Sequence, residues 1–352
     1  MIEIPDLSGV LNLKQLILQC CTRLYKIHAS LGDLKRLIRL DLNGCKCLEK
    51  FPHKINLEAL EFFNLSGCSK LKKFPYIVEN MPRLWKLCLS ETAIKDLSIL
   101  VIHSTGLTEL DLRDCKNLSS LPIAICSLMS LKTLNLSGCS KLDELPENLG
   151  KIEGLEVLDL SGTAITGLPS SVVHLKNLKV LSLSRCVGPS SKSFNKLTGM
   201  LERSLIGLRS LTTLDLSFCN VQTIPNALGC LSSLELLNLR GNNFVSLPES
   251  IIQLSNLGRL YMGGCTHLQM LPKLPLNIQY IDATKCTSLE TLLLRPESNF
   301  RPDFCLLGCN KLIKNQDYGD LFSTMLRRYI INTQVCLSVS LSLSPSLSHV
   351  KF

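Results

Sequence analysis

The most regular feature of this chain is a nine-residue pattern of apolar and polar positions that returns every 21 to 33 residues. In the stretch LKTLNLSGC, residues 131–139, leucine occupies the first, fourth and sixth positions and cysteine the ninth. Leu134 and Leu136 are two residues apart, so in a strand their side chains point to the same side, toward the interior. Each occurrence of the pattern therefore predicts one short strand. The twelve occurrences begin at Leu13, Leu37, Leu60, Leu84, Leu107, Leu131, Leu155, Leu178, Leu211, Leu234, Leu257 and Ile278.

Between these strands a second pattern predicts a return segment of turns or short helix. Proline recurs there, as Pro146 does in LDELPENLGKI, residues 142–152. Proline fixes φ and lacks an N–H, which argues against another central strand at these positions. One unit of strand and return segment cannot bury its own apolar face, whereas stacked units share a continuous core.

The pattern resembles the leucine-rich repeat, L-x-x-L-x-L-x-x-N/C-x-L. The resemblance implies an α/β solenoid. This is a leucine-rich-repeat horseshoe with a parallel sheet on its concave face and short helices or turns on its convex face. The unit that begins at Leu178 is ten residues too long, and we expect residues 186–210 to form a surface loop, with a contact loop as the alternative.

Four segments are predicted along the chain. Residues 1–12 match the second half of a repeat, and residues 13–298 hold about 12 repeats. We expect residues 299–332 to begin a different module, and residues 333–352, in which Ser and Leu alternate, to be a disordered low-complexity tail. Our hypothesis is that the chain begins in mid-repeat because it is a fragment or a truncated gene product.

The ninth position of the pattern predicts a ladder of small side chains that donate hydrogen bonds. The chain turns after each strand, and the buried backbone groups of that turn need partners. Asparagine is usual here, and cysteine is a small, apolar residue with a weak S–H donor. The predicted structural ladder consists of Cys21, Cys45, Cys68, Thr92, Cys115, Cys139, Thr163, Cys186, Cys219, Asn242, Cys265 and Cys286.

Disulfide formation and zinc binding are the other interpretations of these cysteines. Ladder thiols on neighbouring units point the same way along the stack, which disfavours disulfides between them. CKC at 45–47 and CLLGC at 305–309 lack the matching second pair that a zinc site needs. We therefore expect no metal, and free thiols.

Composition indicates the cellular compartment of the chain and the classes of partner it can bind. It has 17 cysteines, an odd number, no apolar amino-terminal leader, and no apolar run of the length that spans a membrane. These features predict a soluble protein in a reducing compartment, the cytoplasm, with the nucleus left open. The net charge of +9 is carried by scattered Lys and Arg, which argues against a nucleic-acid groove and leaves a solvated basic surface. No membrane partner is expected.

No pattern in the sequence predicts catalysis. LGKI at 149–152 lacks the glycine spacing and the Ser or Thr of a nucleotide-binding P-loop. Asp41 and Asp111 belong to a row of Asp and Asn on successive strands, which we expect to be a solvated polar ladder. We expect no enzyme, no catalytic residue and no cofactor.

Binding through the outward strand positions is the remaining function. Most of these residues are small or polar, and the large ones are of the types that dominate protein interfaces. Arg259, Tyr261 and Tyr280 fall on neighbouring strands, where we expect ordinary surface scatter, with a contact patch as the alternative. The partner-binding candidates on the concave face are Arg39, Phe62, Trp85, Lys86, Arg113, Leu236, Arg240, Arg259, Tyr261 and Tyr280.

Three tracts give a more specific resemblance. They are residues 1–52, LDLSGTAITGLPSSVVHLKNLKVLSLSRC at 158–186, and LGCNKLIKNQDYGDLFSTMLRRY at 307–329. They resemble the repeats of plant nucleotide-binding leucine-rich-repeat disease resistance proteins of the Toll/interleukin-receptor type.

This resemblance implies a protein-recognition module of an intracellular immune receptor. In that family the repeats bind a pathogen effector or a host protein, aided by a β-sandwich that follows them, and restrain the nucleotide-binding domain. The family's signalling domain and ATPase switch are absent from this sequence, so we expect binding without signalling. A free-standing intracellular scaffold or decoy is the alternative; the odd number of cysteines disfavours an extracellular receptor.

Overall fold

A parallel sheet runs through the whole of the described chain. The structure is a computed structural model, and it describes residues 2–97, 106–186, 199, 201–293 and 302–313. Within these residues the sheet has 13 strands, and consecutive strands along the chain are neighbours in the sheet. The strands are Gln15–Ile17, Arg39–Asp41, Phe62–Asn64, Lys86–Cys88, Glu109–Asp111, Thr133–Asn135, Val157–Asp159, Val180–Ser182, Thr213–Asp215, Leu236–Asn238, Arg259–Tyr261, Tyr280–Asp282 and Asp303–Cys305.

The leucines of the pattern set the register of this sheet. Leu134 pairs with Leu158, and Leu158 with Leu181, so equivalent positions stack directly across the units. All three side chains are fully buried, in one continuous hydrophobic core. Because burial of a leucine side chain contributes about 1.5–3 kcal/mol, the stacked rows hold the units together.

The return segments are built from single 3₁₀ turns and short strand pairs. In several units a proline precedes the helix in extended conformation, as Pro169 does with φ of −62° and ψ of 152°. The short strands pair as Glu3–Ile4 with Lys26–Ile27, Lys54–Ile55 with Tyr76–Ile77, and Met270–Leu271 with Thr291–Leu292. The 3₁₀ helices are Ser8–Val10, Ala29–Asp33, Ile123–Ser127, Leu149–Lys151, Ser170–His174, Leu205–Gly207, Asn226–Cys230 and Glu249–Gln253.

The predicted solenoid class is confirmed by this architecture. The strands form one face and the 3₁₀ turns form the other, as expected for the horseshoe. Strands in a sheet are about 4.8 Å apart, which is closer than packed helical turns, so the strand face is the concave one.

The carboxyl-terminal boundary of the repeats differs from the expectation. Asp303–Cys305 pairs with Tyr280–Asp282 as the thirteenth strand, and a short α-helix follows at Asn310–Ile313. Phe304 and Leu306 take the positions that Leu134 and Leu136 hold in their unit, so residues 302–313 extend the repeats. The remainder of the proposed module, 314–332, and the tail at 333–352 lie outside the described residues, as do 187–198 and 200 of the inserted segment.

Candidate functional site

Most ladder residues donate a hydrogen bond to the unit before their own, whereas Thr92 and Thr163 donate to the carbonyls of Leu89 and Leu160 in their own units. Cys139 Sγ donates to the Leu112 carbonyl at 3.2 Å, and Cys186 Sγ donates to the Leu160 carbonyl at 2.9 Å. Asn242 makes fuller use of the same position, since its Nδ2 donates to the carbonyls of Leu216 and Leu239, both at 2.8 Å. Its Oδ1 accepts from the Val221 N–H at 2.9 Å. The ladder thus links the backbones of adjacent units.

Cys309 is a rung that the sequence pattern did not bring out. Its Sγ donates to the Ala283 carbonyl at 3.1 Å, the same contact that the other ladder thiols make. At the opposite end Cys21 is only half-buried. The spacing of 23 residues between Cys286 and Cys309 was the available signal.

Burial keeps the thiols of the buried ladder cysteines protonated. It raises the pKa of Cys139 to about 12 and that of Cys186 to about 11. A thiolate is the form that attacks disulfides and binds metals, so these residues are chemically inert when folded. All 16 cysteines among the described residues are free, and no group of three or more potential ligands there could hold a metal ion.

The row of Asp and Asn at the ends of the strands is less solvated than the sequence suggested. Each side-chain Oδ1 accepts a hydrogen bond from the backbone N–H two residues further on, at 2.8–3.3 Å. Asp41, Asp159 and Asp282 are buried as a result. The row therefore shapes the turns after the strands, a role that requires the side chains to fold back onto the backbone. Its members with this bond are Asp41, Asn64, Asp111, Asn135, Asp159, Asp215, Asn238 and Asp282.

Four candidates form an amino-terminal cluster on the strand face. The Arg39 guanidinium lies 4.1 Å from the centre of the Phe62 ring, and its Nη2 is 2.8 Å from the Asp41 carboxylate. Phe62 is the register partner of Lys86, whose Nζ lies 5.7 Å from the centre of the Trp85 ring. The Trp85 side chain is 42% exposed. We call Arg39, Phe62, Trp85 and Lys86 the amino-terminal cluster.

A second cluster lies toward the other end of the face. Arg240 donates to the Asp282 carboxylate from Nε at 2.9 Å and from Nη2 at 2.5 Å. Its guanidinium lies 4.6 Å from the centre of the Tyr261 ring, and Tyr261 and Tyr280 have ring centres 5.6 Å apart. Tyr261 is 6% exposed, so the expectation of an exposed ring there was wrong. We call Arg240, Tyr261, Tyr280 and Asp282 the carboxyl-terminal cluster.

Of the three remaining candidates, Arg259 and Leu236 lie next to the carboxyl-terminal cluster and Arg113 lies apart. Arg259 is exposed and is the register partner of both Leu236 and Tyr280. Leu236 is half-buried on the strand before it. Arg113 lies near the middle of the face, with its Nη2 3.8 Å from the Asp111 carboxylate.

A central notch lies between the two clusters, and sequence reasoning missed it. The residue before each ladder position has a left-handed backbone, with φ of 56° at Asp114, 75° at Gly138, 67° at Gly162 and 58° at Arg185. The Asp114 carboxylate lies over Gly138, whereas no side chain lies beside Gly162, so a gap opens there between Asp114 and Arg185. The gap encloses about 350 Å³. We call it the central notch, and its lining is Arg113, Asp114, Asn135, Ser137, Gly138, Asp159, Ser161, Gly162, Ser182, Ser184, Arg185 and Asp215.

Comparison with known families decides what this repeat is. A model described as a leucine-rich repeat region matches residues 103–213, and one described as the leucine-rich repeats of disease resistance protein RPS4B-like proteins matches residues 56–145. A general leucine-rich repeat model matches residues 210–231 and 233–254. The chain belongs to the leucine-rich-repeat family.

This leucine-rich-repeat chain is similar to plant disease resistance proteins. TMV resistance protein N of Nicotiana glutinosa is 39% identical over 283 residues, which are 79% of this chain and 24% of the relative. Disease resistance-like protein DSC1 of Arabidopsis thaliana is 39% identical over 316 residues, which are 88% of this chain and 25% of the relative. The chain therefore spans about a quarter of the length of these relatives.

A solved structure supports the fold. The functional domain of InlJ from Listeria monocytogenes, whose description includes a cysteine ladder, matches with a TM-score of 0.56 and 18% identity. The match covers 87% of this leucine-rich-repeat chain and 55% of that one. Across the part of the chain that the structure describes, no helix is both long enough and apolar enough to cross a lipid bilayer.

Proposed function

We propose that this chain is the recognition region of an intracellular plant immune receptor, and that its concave strand face binds a protein. The ligand is a pathogen effector or a host protein. The similarity to plant disease resistance proteins supports the receptor class, and the repeat fold supports binding rather than catalysis.

The observation that carries the proposal is the amino-terminal cluster. Trp85 leaves a large exposed ring beside the cation of Lys86, which is paired with Glu109. The Arg39 guanidinium lies over the Phe62 ring on the preceding strands. Trp and Arg are the residues most enriched among those that contribute most to protein interfaces. Arg259 adds an exposed cation toward the other end, so a ligand that spans the face has an anchor at each end.

A two-hybrid screen of the full chain against a library of pathogen-secreted and host proteins tests the proposal. We expect a binder whose interaction is lost in the double variant Trp85→Ala/Arg259→Ala. The matched control is Ile123→Ala, which removes a 72% exposed apolar side chain from a return segment. The proposal would be contradicted if Ile123→Ala abolished binding while Trp85→Ala/Arg259→Ala retained it. It would also be contradicted if the screen found no binder.

We also propose that, within a full receptor, these repeats restrain the nucleotide-binding domain, and that they act in the cytoplasm. The proposal is supported by the class of the relatives and by the number of free thiols, which suits a reducing compartment. Co-expression of the chain with the nucleotide-binding and signalling domains of the same receptor, as separate polypeptides, tests the restraint. We expect the chain to suppress the cell death that those domains trigger alone, and unchanged cell death would contradict this role.

A further inference from the structure

The floor of the central notch holds a carboxylate with one oxygen unused. Asp159 is 6% exposed, and its Oδ1 accepts from the Ser161 N–H at 2.9 Å and from Ser161 Oγ at 2.6 Å. Ser182 Oγ lies 2.6 Å from Ser161 Oγ and continues this chain of hydrogen bonds. Within the described residues, Asp159 Oδ2 has no hydrogen-bond partner. This oxygen faces the central notch, where it is open to a donor from outside the chain.

The equivalent carboxylates in the other clusters are satisfied, which sets Asp159 apart. Asp41 Oδ2 accepts from Arg39 and from Gln19, both at 2.8 Å. Asp282 Oδ2 accepts two hydrogen bonds from Arg240. Each of these carboxylates has a cation from its own chain, whereas Asp159 has none within hydrogen-bonding distance among the described residues.

The cations at the walls of the notch are directed to other groups. Arg113 lies beside Asp111, and Arg185 lies with its guanidinium 5.6 Å from the centre of the Phe218 ring. The lining carries three carboxylates, those of Asp114, Asp159 and Asp215, against these two guanidinium groups. The floor between the walls is therefore acidic, and it attracts a positive group.

The size of the notch suits one side chain of a partner. Its volume of about 350 Å³ is at the lower end of the range for small-ligand pockets. Gly162 leaves this space open, because only backbone atoms of Gly138 lie within 4 Å of the position that a Cβ would take there. Burial also raises the pKa of Asp159; Asp215 adds to the effect, whereas the hydrogen bonds from Ser161 and the charge of Arg113 oppose it, and the net effect leaves a charge that a bound cation would favour.

We propose that the central notch binds a lysine or arginine side chain of a protein partner, whose cationic head donates a hydrogen bond to Asp159 Oδ2. The proposal rests on the proposed function, because it assigns one contact within the strand face that recognises protein. It is more specific than the proposed function because it names the charge of the bound side chain. An acidic or apolar side chain would leave the Asp159 acceptor unpaired.

Titration of the full chain with three capped tripeptides, followed by amide NMR, tests the proposal. The peptides are acetyl-Gly-X-Gly-amide with X as lysine, norleucine or glutamate, which have similar length and different charge. We expect the lysine peptide to cause saturable shifts of the Ser161 and Ser182 amide resonances and the other two to cause none. Equal or stronger shifts with the glutamate peptide would overturn the proposal.

Two variants separate charge from shape. Asp159→Asn keeps the acceptor for Ser161 but removes the charge, and Asn135 shows that asparagine fits this register position. Gly162→Asn keeps Asp159 and fills the opening; a Cβ there would lie 3.7 Å from Gly138 Cα, an ordinary contact, and asparagine tolerates the left-handed backbone.

Each variant is expected to weaken binding of the lysine peptide about tenfold, the range for a hydrogen bond to a charged group. The matched control is Asp143→Asn, an exposed carboxylate on a return segment, which should leave the affinity unchanged. Full affinity in Asp159→Asn would overturn the proposal. The two tests are independent. If the lysine peptide does not bind, the two-hybrid test at Trp85 and Arg259 can still succeed; if the two-hybrid test fails, peptide binding to the notch can still be measured.

Discussion

At the scale of single residues, two kinds of buried polar group behave in opposite ways. The ladder thiols are neutral, and burial is compatible with their hydrogen bonds to backbone carbonyls. Asp159 is a carboxylate in a similarly buried place, and burial works against its charge. Sequence reasoning predicted the ladder, because one residue type recurs at one offset. It missed the burial of Asp159, because the spacing of the repeats does not show that this side chain folds back onto the backbone of the following turn.

Thiol labelling should distinguish the ladder from the surface cysteines. Cys20 and Cys230 are exposed, whereas Cys68 and Cys139 are buried with a pKa raised to about 12. We expect iodoacetamide to modify the first two in the native protein and the second two only after unfolding, as read by peptide mass spectrometry. Rapid modification of Cys139 in the native protein would contradict its assignment to the ladder.

The same thiols predict loss of stability at alkaline pH. Their pKa is higher in the folded chain than the value of about 8.5 expected in the unfolded chain, so the unfolded state loses protons first as pH rises. Their contribution to stability is therefore complete below about pH 8.5 and is lost as pH rises toward the folded values of about 11 to 12. Urea unfolding between pH 8 and 11 should show a falling free energy of unfolding. A free energy of unfolding that stays constant over that pH range would contradict this contribution of the thiols.

Asp159→Asn should stabilise the chain at neutral pH. The raised pKa of Asp159 means that its stabilising contribution is present below about pH 3.9 and is lost as pH rises through the folded value. At pH 7 the variant removes the buried charge and keeps the bond to Ser161. Thermal unfolding should give a higher Tm for Asp159→Asn than for the wild type at pH 7, with the difference gone at pH 3. A lower Tm at pH 7 would show that the charge stabilises the fold.

At the scale of the repeat unit, the ninth position acts as a hydrogen-bond donor to backbone, to the preceding unit at Cys139 and Asn242 and within its own unit at Thr92 and Thr163. The sequence predicted twelve such units and stopped before Asp303–Cys305, because Arg301 and Phe304 replace the leucines that mark the start of other units. Cys309 and its contact with Ala283 show that the ladder continues where the leucine pattern weakens. The donor at the ninth position is thus a more persistent feature of the unit than the leucines.

A series at Cys139 tests the donor role. Cys139→Ala removes the hydrogen bond to Leu112 and should lower the free energy of unfolding by about 1 kcal/mol. Cys139→Asn should retain stability, because Asn242 shows that an amide at this position bonds two carbonyls. Cys139→Asp, which supplies only an acceptor, should cost more than Cys139→Ala. Equal stability of all three by urea unfolding would contradict the assignment.

At the scale of the whole molecule, the strand face carries three separate features along its length. The amino-terminal cluster, the central notch and the carboxyl-terminal cluster lie on successive parts of one sheet. The sequence predicted which residues face outward, since that follows from the period of two. It could not show that Arg240 and Asp282 cover Tyr261, because that contact joins residues 42 apart in sequence. Trp85 and Arg259 are exposed and are the proposed contact residues.

Recognition of a protein by the strand face is tested most directly by titration calorimetry with the ligand from the screen. The affinities of the wild type, Trp85→Ala/Arg259→Ala and Ile123→Ala are compared. We predict that the double variant weakens binding at least about tenfold, because a Trp or Arg that is a hot spot costs about 2 kcal/mol or more when truncated. Ile123→Ala should bind as the wild type does. Equal affinity of the double variant and the wild type, with both folded, would contradict recognition through this face.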